Sequence, residues 1–193
     1  MLQAEELSVT TALDSLYSEL ATTGSAISAA NGAALDLAAE TLRGARRVFT
    51  LGAGRSGIAL NMTAMRLMHL GLTVHVVGEA TAPAIEAGDV LLVASGSGTT
   101  EGIVRAARKA SEVGASTVAI TADAASTIAD LSSVTIVVPA ARKLDRDSTA
   151  SVQYAGSLFE QSVVIIGDAL FHALWKSSGQ TADELWPRHS NLE

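Results

Sequence analysis

The sequence contains no cysteine among its 193 residues and few aromatic side chains. Without cysteine the chain can form no disulfide, no thiolate metal site and no cysteine nucleophile. Aromatic residues make up 4% of the chain although 48% of it is hydrophobic, so most of its apolar residues are alanine, valine, leucine and isoleucine. Apolar strands packed against alanine-rich helices produce this balance, which is typical of an α/β layer fold.

The sequence also lacks an excess of positive charge and any long apolar run. Its net charge is -7 and its basic residues are scattered, so we expect no binding of nucleic acid. Asp168 and His172 interrupt one of its most apolar stretches, and no run reaches the roughly 18 residues of a membrane span. The first ten residues contain two acids and no basic region of a signal peptide. These features predict a cytoplasmic protein without a membrane partner.

From residue 46 onward, short apolar runs alternate with helical patterns. The runs predict five strands, at residues 46–51, 73–77, 89–94, 116–121 and 134–139. Helices are predicted at 56–70, 99–113 and 126–131, with a loop at 81–88. The alternation predicts a three-layer α/β/α sandwich around a five-stranded parallel sheet of flavodoxin-like type.

Helical extensions are expected at both ends of this sandwich. Residues 2–43 have the periodicity of two helices, separated near residues 22–25, and a long helix is predicted at 151–178. No linker or internal repeat divides the chain, so 1–193 is predicted to be one domain with its core at about 44–178 and a tail at 179–193. A ligand should bind beyond the carboxyl ends of the strands, where the strand order reverses.

A glycine-rich loop follows the first predicted strand. Gly52, Gly54 and Gly57 form a G-x-G-x-x-G motif, which holds phosphate at a helix N-terminus. In dinucleotide-binding proteins an acid about 20 residues further on binds the ribose, and Glu79 occupies that position. A dinucleotide-binding oxidoreductase is therefore one interpretation of this loop.

A second loop of the same kind follows the third predicted strand. Four hydroxyl residues alternate with two glycines there: Ser95, Gly96, Ser97, Gly98, Thr99 and Thr100. Hydroxyls and free amides at a helix N-terminus suit a terminal phosphate, whereas one helix cap needs a single hydroxyl. The loop has no lysine, so it is not a nucleoside triphosphate loop.

Together, GAGRSG and SGSGTT resemble the phosphosugar loops of the sugar isomerase (SIS) domain family. The stretches RLMHLGLTVHVVGEATAPAI, QYAGSLFEQ and LWPRHSNLE are similar to the 6-phospho-3-hexuloisomerases of that family. The resemblance implies that a hex-3-ulose 6-phosphate and fructose 6-phosphate are interconverted through a C2–C3 enediol, in the ribulose monophosphate pathway of formaldehyde fixation. It also implies phosphate binding by both loops, including Gly54, Arg55 and Ser56. No cofactor and no metal are expected.

The isomerisation needs a base and a group that moves protons between oxygens. Glu160 lies among apolar residues, where desolvation would make a carboxylate a stronger base than one in water, and the resemblance implies this role for it. His189 in the tail is the second candidate, and it could act in a neighbouring subunit. Lys143 and Asp145 should flank the site, but the sequence assigns them no role.

The other histidines are better explained by structure than by chemistry. His69 follows Met62, Met65 and Met68, a stripe that we interpret as core packing. His75 alternates within a strand, and His172 lies one helical turn from Asp168, a spacing that suits an ion pair. No pair of histidines has the spacing of a zinc site.

Burying the long apolar C-terminal helix should need a partner, which predicts a homodimer or homotetramer with sites near subunit interfaces.

A third interpretation is a sugar-phosphate sensor without catalysis. Such a protein would keep both loops without needing Glu160, whereas an oxidoreductase would leave the four hydroxyls of the second loop unexplained. In either sugar-phosphate interpretation, Glu79 becomes a loop acid near the cleft.

Overall fold

A five-stranded parallel sheet forms the centre of the protein. The computed structural model describes residues 8–140 and 151–192. Within them the strands are β1 (Val48–Gly52), β2 (Val74–Val76), β3 (Val90–Ala94), β4 (Ser116–Thr121) and β5 (Val134–Val137). All neighbours pair in parallel, in the order β2-β1-β3-β4-β5. This is the flavodoxin-like order, so the predicted sheet is confirmed. The strand order reverses between β1 and β3.

Helices cover both faces of the sheet. They are α1 (Val9–Arg43), α2 (Arg55–His69), α3 (Glu101–Glu112), α4 (Thr127–Leu131), α5 (Ser157–Ser178) and α6 (Ala182–Leu185), followed by a 3-10 helix at Trp186–Arg188. Helices α1, α2 and α5 contribute to one hydrophobic core, and α3 and α4 to the other. The sequence of β3 is apolar throughout because both faces of this strand are buried. Leu92 faces the first core, and Leu91 and Val93 face the second.

The N-terminal segment is one helix of 35 residues, so the prediction of two helices was wrong. Two hydroxyls that favour a break are bonded within the helix instead: Thr22 donates to the carbonyl of Ser18, and Ser25 to that of Ala21. Packing of the later turns on α5 and β5 further stabilises the continuous helix.

Helix α5 begins at Ser157, six residues later than predicted. The preceding segment turns at Ala155, whose φ of 50° is left-handed and incompatible with a helix. This segment is held by Glu19 of α1, which accepts hydrogen bonds from the amide of Val152 and the side chain of Gln153. The turn brings the first turn of α5 next to the loops that follow β1 and β3.

By length and composition alone, α5 could span a membrane. In the folded chain it packs against α1 and α2 instead. Eight of its residues are buried: Leu158, Phe159, Ser162, Val163, Ile166, Gly167, Leu170 and Leu174. Helix α5 is therefore a core helix of this fold, and its burial does not by itself need the partner subunit that we expected.

Candidate active site

A cavity of about 190 Å³ lies at the carboxyl ends of β1 and β3. It is lined by the loop after β1, the loop after β3 and the start of α5: Ala53, Gly54, Arg55, Ser56, Ala94, Ser95, Gly96, Ser97, Thr100, Ile103, Gly156, Phe159 and Glu160. This is the point at which the strand order reverses. Both glycine loops and Glu160 thus meet where the sequence predicted a ligand site.

The first loop is tight because its glycines touch. A Cβ on Gly52 would lie 2.8 Å from the Cα of Gly57, and one on Gly57 would lie 2.7 Å from the carbonyl oxygen of Gly52. Helix α2 therefore begins directly above the end of β1, without a side-chain cap and without an acid in its first turn. Within the described chain, the amides of Arg55 and Ser56 have no protein acceptor. This uncapped N-terminus suits an anion.

The second loop directs two of its carbonyl groups toward the end of β4 and the start of α4. The Gly96 carbonyl accepts from the amide of Ala122 at 3.0 Å, and the Gly98 carbonyl from that of Ile128 at 3.0 Å. Among residues 8–140 and 151–192, we find no acceptor for the amides of Gly96, Ser97 and Thr100. The loop consequently offers unpaired N–H groups beside the cavity, as a phosphate site requires.

The hydroxyl groups of this loop support one another. Ser95 Oγ lies 3.0 Å from Thr100 Oγ1, while Ser97 Oγ accepts from the amide and the hydroxyl of Thr99. Gly98 and Thr99 do not line the cavity, although we predicted that they bind phosphate. Gly98 has a φ of +62°, and a Cβ there would lie 2.0 Å from Ser126 Oγ, so its role in this structure is to let the loop pass over Ser126.

Glu160 lies at the wall of the cavity in the first turn of α5. Its side chain is 19% exposed, and its Oε2 lies 2.8 Å from Nε of Arg55. The start of a helix favours the negative charge of a carboxylate. Phe159 beside it packs against Gly96, where a Cβ would be 3.5 Å from the ring. Glu160 is thus a partly desolvated carboxylate beside the two glycine loops.

The Arg55–Glu160 ion pair was not predicted. From its place in the first loop we expected Arg55 to contact phosphate, but here it contacts a carboxylate far away in sequence. No local pattern indicates such a pair. Phe159, Ile103 and Gly156 also line the cavity, and we had not singled them out as site residues either.

His189 does not join this cavity in its own chain. Its ring stacks on that of His69 with centroids 4.0 Å apart and also contacts Trp186. Arg188 holds the tail in place by donating to the carbonyl of His69 at 3.1 Å. His69 ends α2 whereas Arg55 begins it, so the two lie about 21 Å apart along the helix axis. A role for His189 therefore needs the cavity of a neighbouring subunit, which stays a prediction.

His69 is buried, with 4% exposure, and in the part of the chain that the structure describes its Nδ1 has no hydrogen-bond partner. Burial lowers the pKa of His69 below its ordinary value, and the nearby His189 and Arg66 lower it further.

The methionine stripe that precedes His69 is exposed, so our interpretation of this stripe as core packing was wrong. Met62 and Met65 are 51% and 58% exposed, whereas Leu60 and Leu67 form the buried face of α2.

The remaining candidates lie outside the cavity. Glu79, expected near the cleft, lines a separate cavity of about 410 Å³ with Phe49 and Lys109. In the described residues His172 makes no ion pair with Asp168 and lies edge-on to Trp175 instead. Lys143 and Asp145 lie outside the described residues. Within those residues there is also no group of three or more His, Asp or Glu side chains placed to hold a metal.

The family follows from comparison with known proteins. The SIS domain model matches residues 41–165, which include both loops and Glu160. The chain belongs to the SIS domain family. It is 55% identical over 147 residues to a 3-hexulose-6-phosphate isomerase of Mycobacterium gastri, covering 76% of this chain and 74% of that protein.

Two further proteins extend the match. A 3-hexulose-6-phosphate isomerase of Bacillus subtilis is 35% identical over 159 residues, which cover 82% of this chain and 86% of that one. A Methanococcus jannaschii protein, whose crystal structure led to the inference of 3-hexulose-6-phosphate isomerase function, has a TM-score of 0.79 and 29% identity; the match covers 94% of this chain and 99% of that one. The predicted resemblance of the chain to the SIS domain family and to its 6-phospho-3-hexuloisomerases is thereby confirmed.

Proposed function

We propose that this protein interconverts a hex-3-ulose 6-phosphate and fructose 6-phosphate. The observation that carries the proposal is the meeting of two phosphate loops with Glu160 at one cavity. Similarity to isomerases of this specificity supports it over a dinucleotide-binding oxidoreductase. The position of Glu79 supports it too, because the acid that would bind ribose lines a different cavity.

In the proposed mechanism the phosphate is bound by the amides of Ser56, Gly96 and Ser97 and by the loop hydroxyls. Glu160 removes the proton from C2 of the 3-ketose, which produces an enediolate across C2 and C3. A proton moves from the oxygen on C2 to that on C3, and the protonated Glu160 returns its proton to C3. Arg55 orients the carboxylate and balances the negative charge that develops on the substrate.

We further propose that the active form is a homodimer or homotetramer with sites near subunit interfaces. Helix α2 exposes Ile58, Met62 and Met65 along one face, which runs from the cavity toward the His189 end of the helix. If two copies paired these faces antiparallel about a two-fold axis, the tail of each would meet the cavity of the other. A cavity of about 190 Å³ is also below the roughly 300–1,000 Å³ of a complete small-molecule site.

In such an assembly His189 would move protons between the substrate oxygens. Ring opening by an acid matters chiefly in the reverse direction, because the 6-phosphate prevents the 3-ketose from closing a five-membered ring through O6. The ribulose monophosphate pathway and a cytoplasmic location agree with this chemistry and remain predictions.

Binding and turnover together test the proposal against its alternatives. Fructose 6-phosphate should raise the melting temperature, whereas NAD and NADP should leave it unchanged. Purified protein should also convert part of the fructose 6-phosphate to the 3-hexulose. Stabilisation without conversion would indicate a sensor, and stabilisation by NAD or NADP alone would indicate an oxidoreductase.

A further inference from the structure

The connection between β4 and α4 supports the second phosphate loop from behind. Three of its groups contact that loop: the amide of Ala122 and the hydroxyl of Thr121 both bond the Gly96 carbonyl, and Ser126 fills the space beneath Gly98. Further on, the amide of Ile128 bonds the Gly98 carbonyl. None of these residues lines the cavity, so any effect they have on a ligand acts through the loop.

Thr121 is the side chain best placed to control the loop. It is fully buried at the end of β4. Its hydroxyl donates to the Gly96 carbonyl at 3.4 Å and accepts from the amide of Asp123 at 3.2 Å. A hydroxyl can do both at once, and here it adds a second, longer bond to the 3.0 Å bond that the Gly96 carbonyl accepts from the Ala122 amide.

The planarity of the peptide bond connects Thr121 to the cavity. The carbonyl of Gly96 and the amide of Ser97 belong to one trans peptide, so they point in opposite directions. A carbonyl that Thr121 and Ala122 hold toward β4 therefore directs the Ser97 N–H away from β4, on the side where Ser97 lines the cavity. That N–H has no acceptor among the described residues, which leaves it available to a phosphate oxygen.

We propose that Thr121 is a positioning residue that aims the Ser97 amide at the substrate phosphate. The inference rests on the proposed binding of a sugar phosphate at this loop. Phosphate binds alike in the ground state and in the transition state, because it takes no part in the isomerisation. Losing the hydroxyl should accordingly raise KM and leave kcat nearly unchanged.

Three variants test the proposal. Thr121→Val removes the hydroxyl at almost constant volume and should raise KM for fructose 6-phosphate, and the inhibition constant of inorganic phosphate, about fivefold. Thr121→Ser keeps the hydroxyl and should restore both values. Thr50→Val is the matched control, because Thr50 is equally buried in a strand and its hydroxyl has no partner among the described residues.

Melting temperatures distinguish positioning from support of the fold. Thr121→Val that melts earlier but has the KM and phosphate inhibition of the wild type would overturn the proposal, as would a loss confined to kcat. If Thr121→Val does not fold, Thr121→Cys replaces it, because a thiol is a weak hydrogen-bond donor. Phosphate inhibition of Thr121→Cys as strong as that of Thr121→Ser would then overturn the proposal. Wild-type protein that binds phosphate but does not convert the sugar phosphate would contradict the proposed function alone. Wild-type protein that does not bind phosphate would contradict both the proposed function and the role of Thr121.

Discussion

Arg55 and Glu160 form an ion pair of 2.8 Å between the first turns of α2 and α5. The pair joins the helix that follows the first glycine loop to the helix that carries the proposed base. Because the carboxylate is mostly buried and the guanidinium mostly exposed, the arginine can also approach a bound substrate. In the proposed mechanism, Arg55 would thereby both orient the base and balance charge at the two glycine loops.

Replacing Arg55 should impair the chemical step more than binding. Arg55→Gln leaves Glu160 without its partner, and we expect kcat to fall about 10- to 100-fold, with a smaller change in KM. Steady-state kinetics with fructose 6-phosphate measure both constants. Arg108→Gln on the exposed side of α3 is the control and should retain wild-type values. If Arg55→Gln raised only KM, Arg55 would be a phosphate ligand, as its position in the loop first suggested.

A shared active site should be visible by complementation between two inactive variants. Each of Glu160→Gln and His189→Asn should be inactive alone, but a mixed dimer contains one intact site, built from Glu160 of one chain and His189 of the other. Refolding them together at equal amounts should recover about a quarter of the wild-type activity. Mixed oligomers that form but stay inactive would argue against a shared site.

The strands and the position of the candidate site could be predicted from the sequence because their signals are local. The run 90–94, for example, is apolar throughout, and burial on both faces of β3 requires that. Glycine and hydroxyl loops after β1 and β3 have to meet, because the carboxyl ends of neighbouring parallel strands lie at one edge.

The rest depends on contacts that the sequence does not specify. Periodicity identified α2 as a helix but could not distinguish its buried face from the exposed Met62 and Met65. Serine and threonine hydroxyls can favour a helix break, but they can also bond a carbonyl one turn earlier within a continuous helix. Thr22 and Ser25 do the latter here. The pairing of Arg55 with Glu160 depends on the tertiary fold alone.

Asp89 should be a major contributor to stability at neutral pH. It is buried immediately before β3, bonded by Arg47 at 2.6 Å, by Arg46 at 3.1 Å and by the amide of Glu86 at 2.8 Å. Burial by itself raises the pKa of Asp89, but these bonds outweigh it and lower the pKa to about 2. Asp89→Asn should cost about 3 kcal/mol in urea unfolding at pH 7, whereas exposed Asp168→Asn should cost little.

The same shift predicts how Asp89 behaves in acid. A pKa that is lower in the folded chain than its ordinary 3.8 gives stability that is present above about pH 4 and is lost as pH falls toward 2. The stability difference between wild type and Asp89→Asn should therefore shrink over that interval. A difference that stays constant between pH 4 and 2 would contradict this account.

His69 should make the fold sensitive to mild acid. Because its pKa is lowered by burial, by His189 and by Arg66, the unfolded chain binds a proton more readily than the folded one. Stability should decline as pH falls below about 6.5, the ordinary pKa of histidine. His69→Leu should flatten melting temperature against pH between 7.5 and 5.5, while exposed His172→Gln should not. An unchanged slope in His69→Leu would assign the acid sensitivity to another group.

Proton transfer between C2 and C3 by Glu160 can be followed by proton NMR of fructose 6-phosphate incubated with the protein in D₂O. Deuterium should appear at C3, together with new signals of the 3-hexulose. Both should be lost in Glu160→Gln, and both retained in the exposed control Glu112→Gln. Deuterium at C1 instead would mean an aldose–ketose isomerase, and no exchange at any carbon by folded protein that binds the ligand would contradict catalysis altogether.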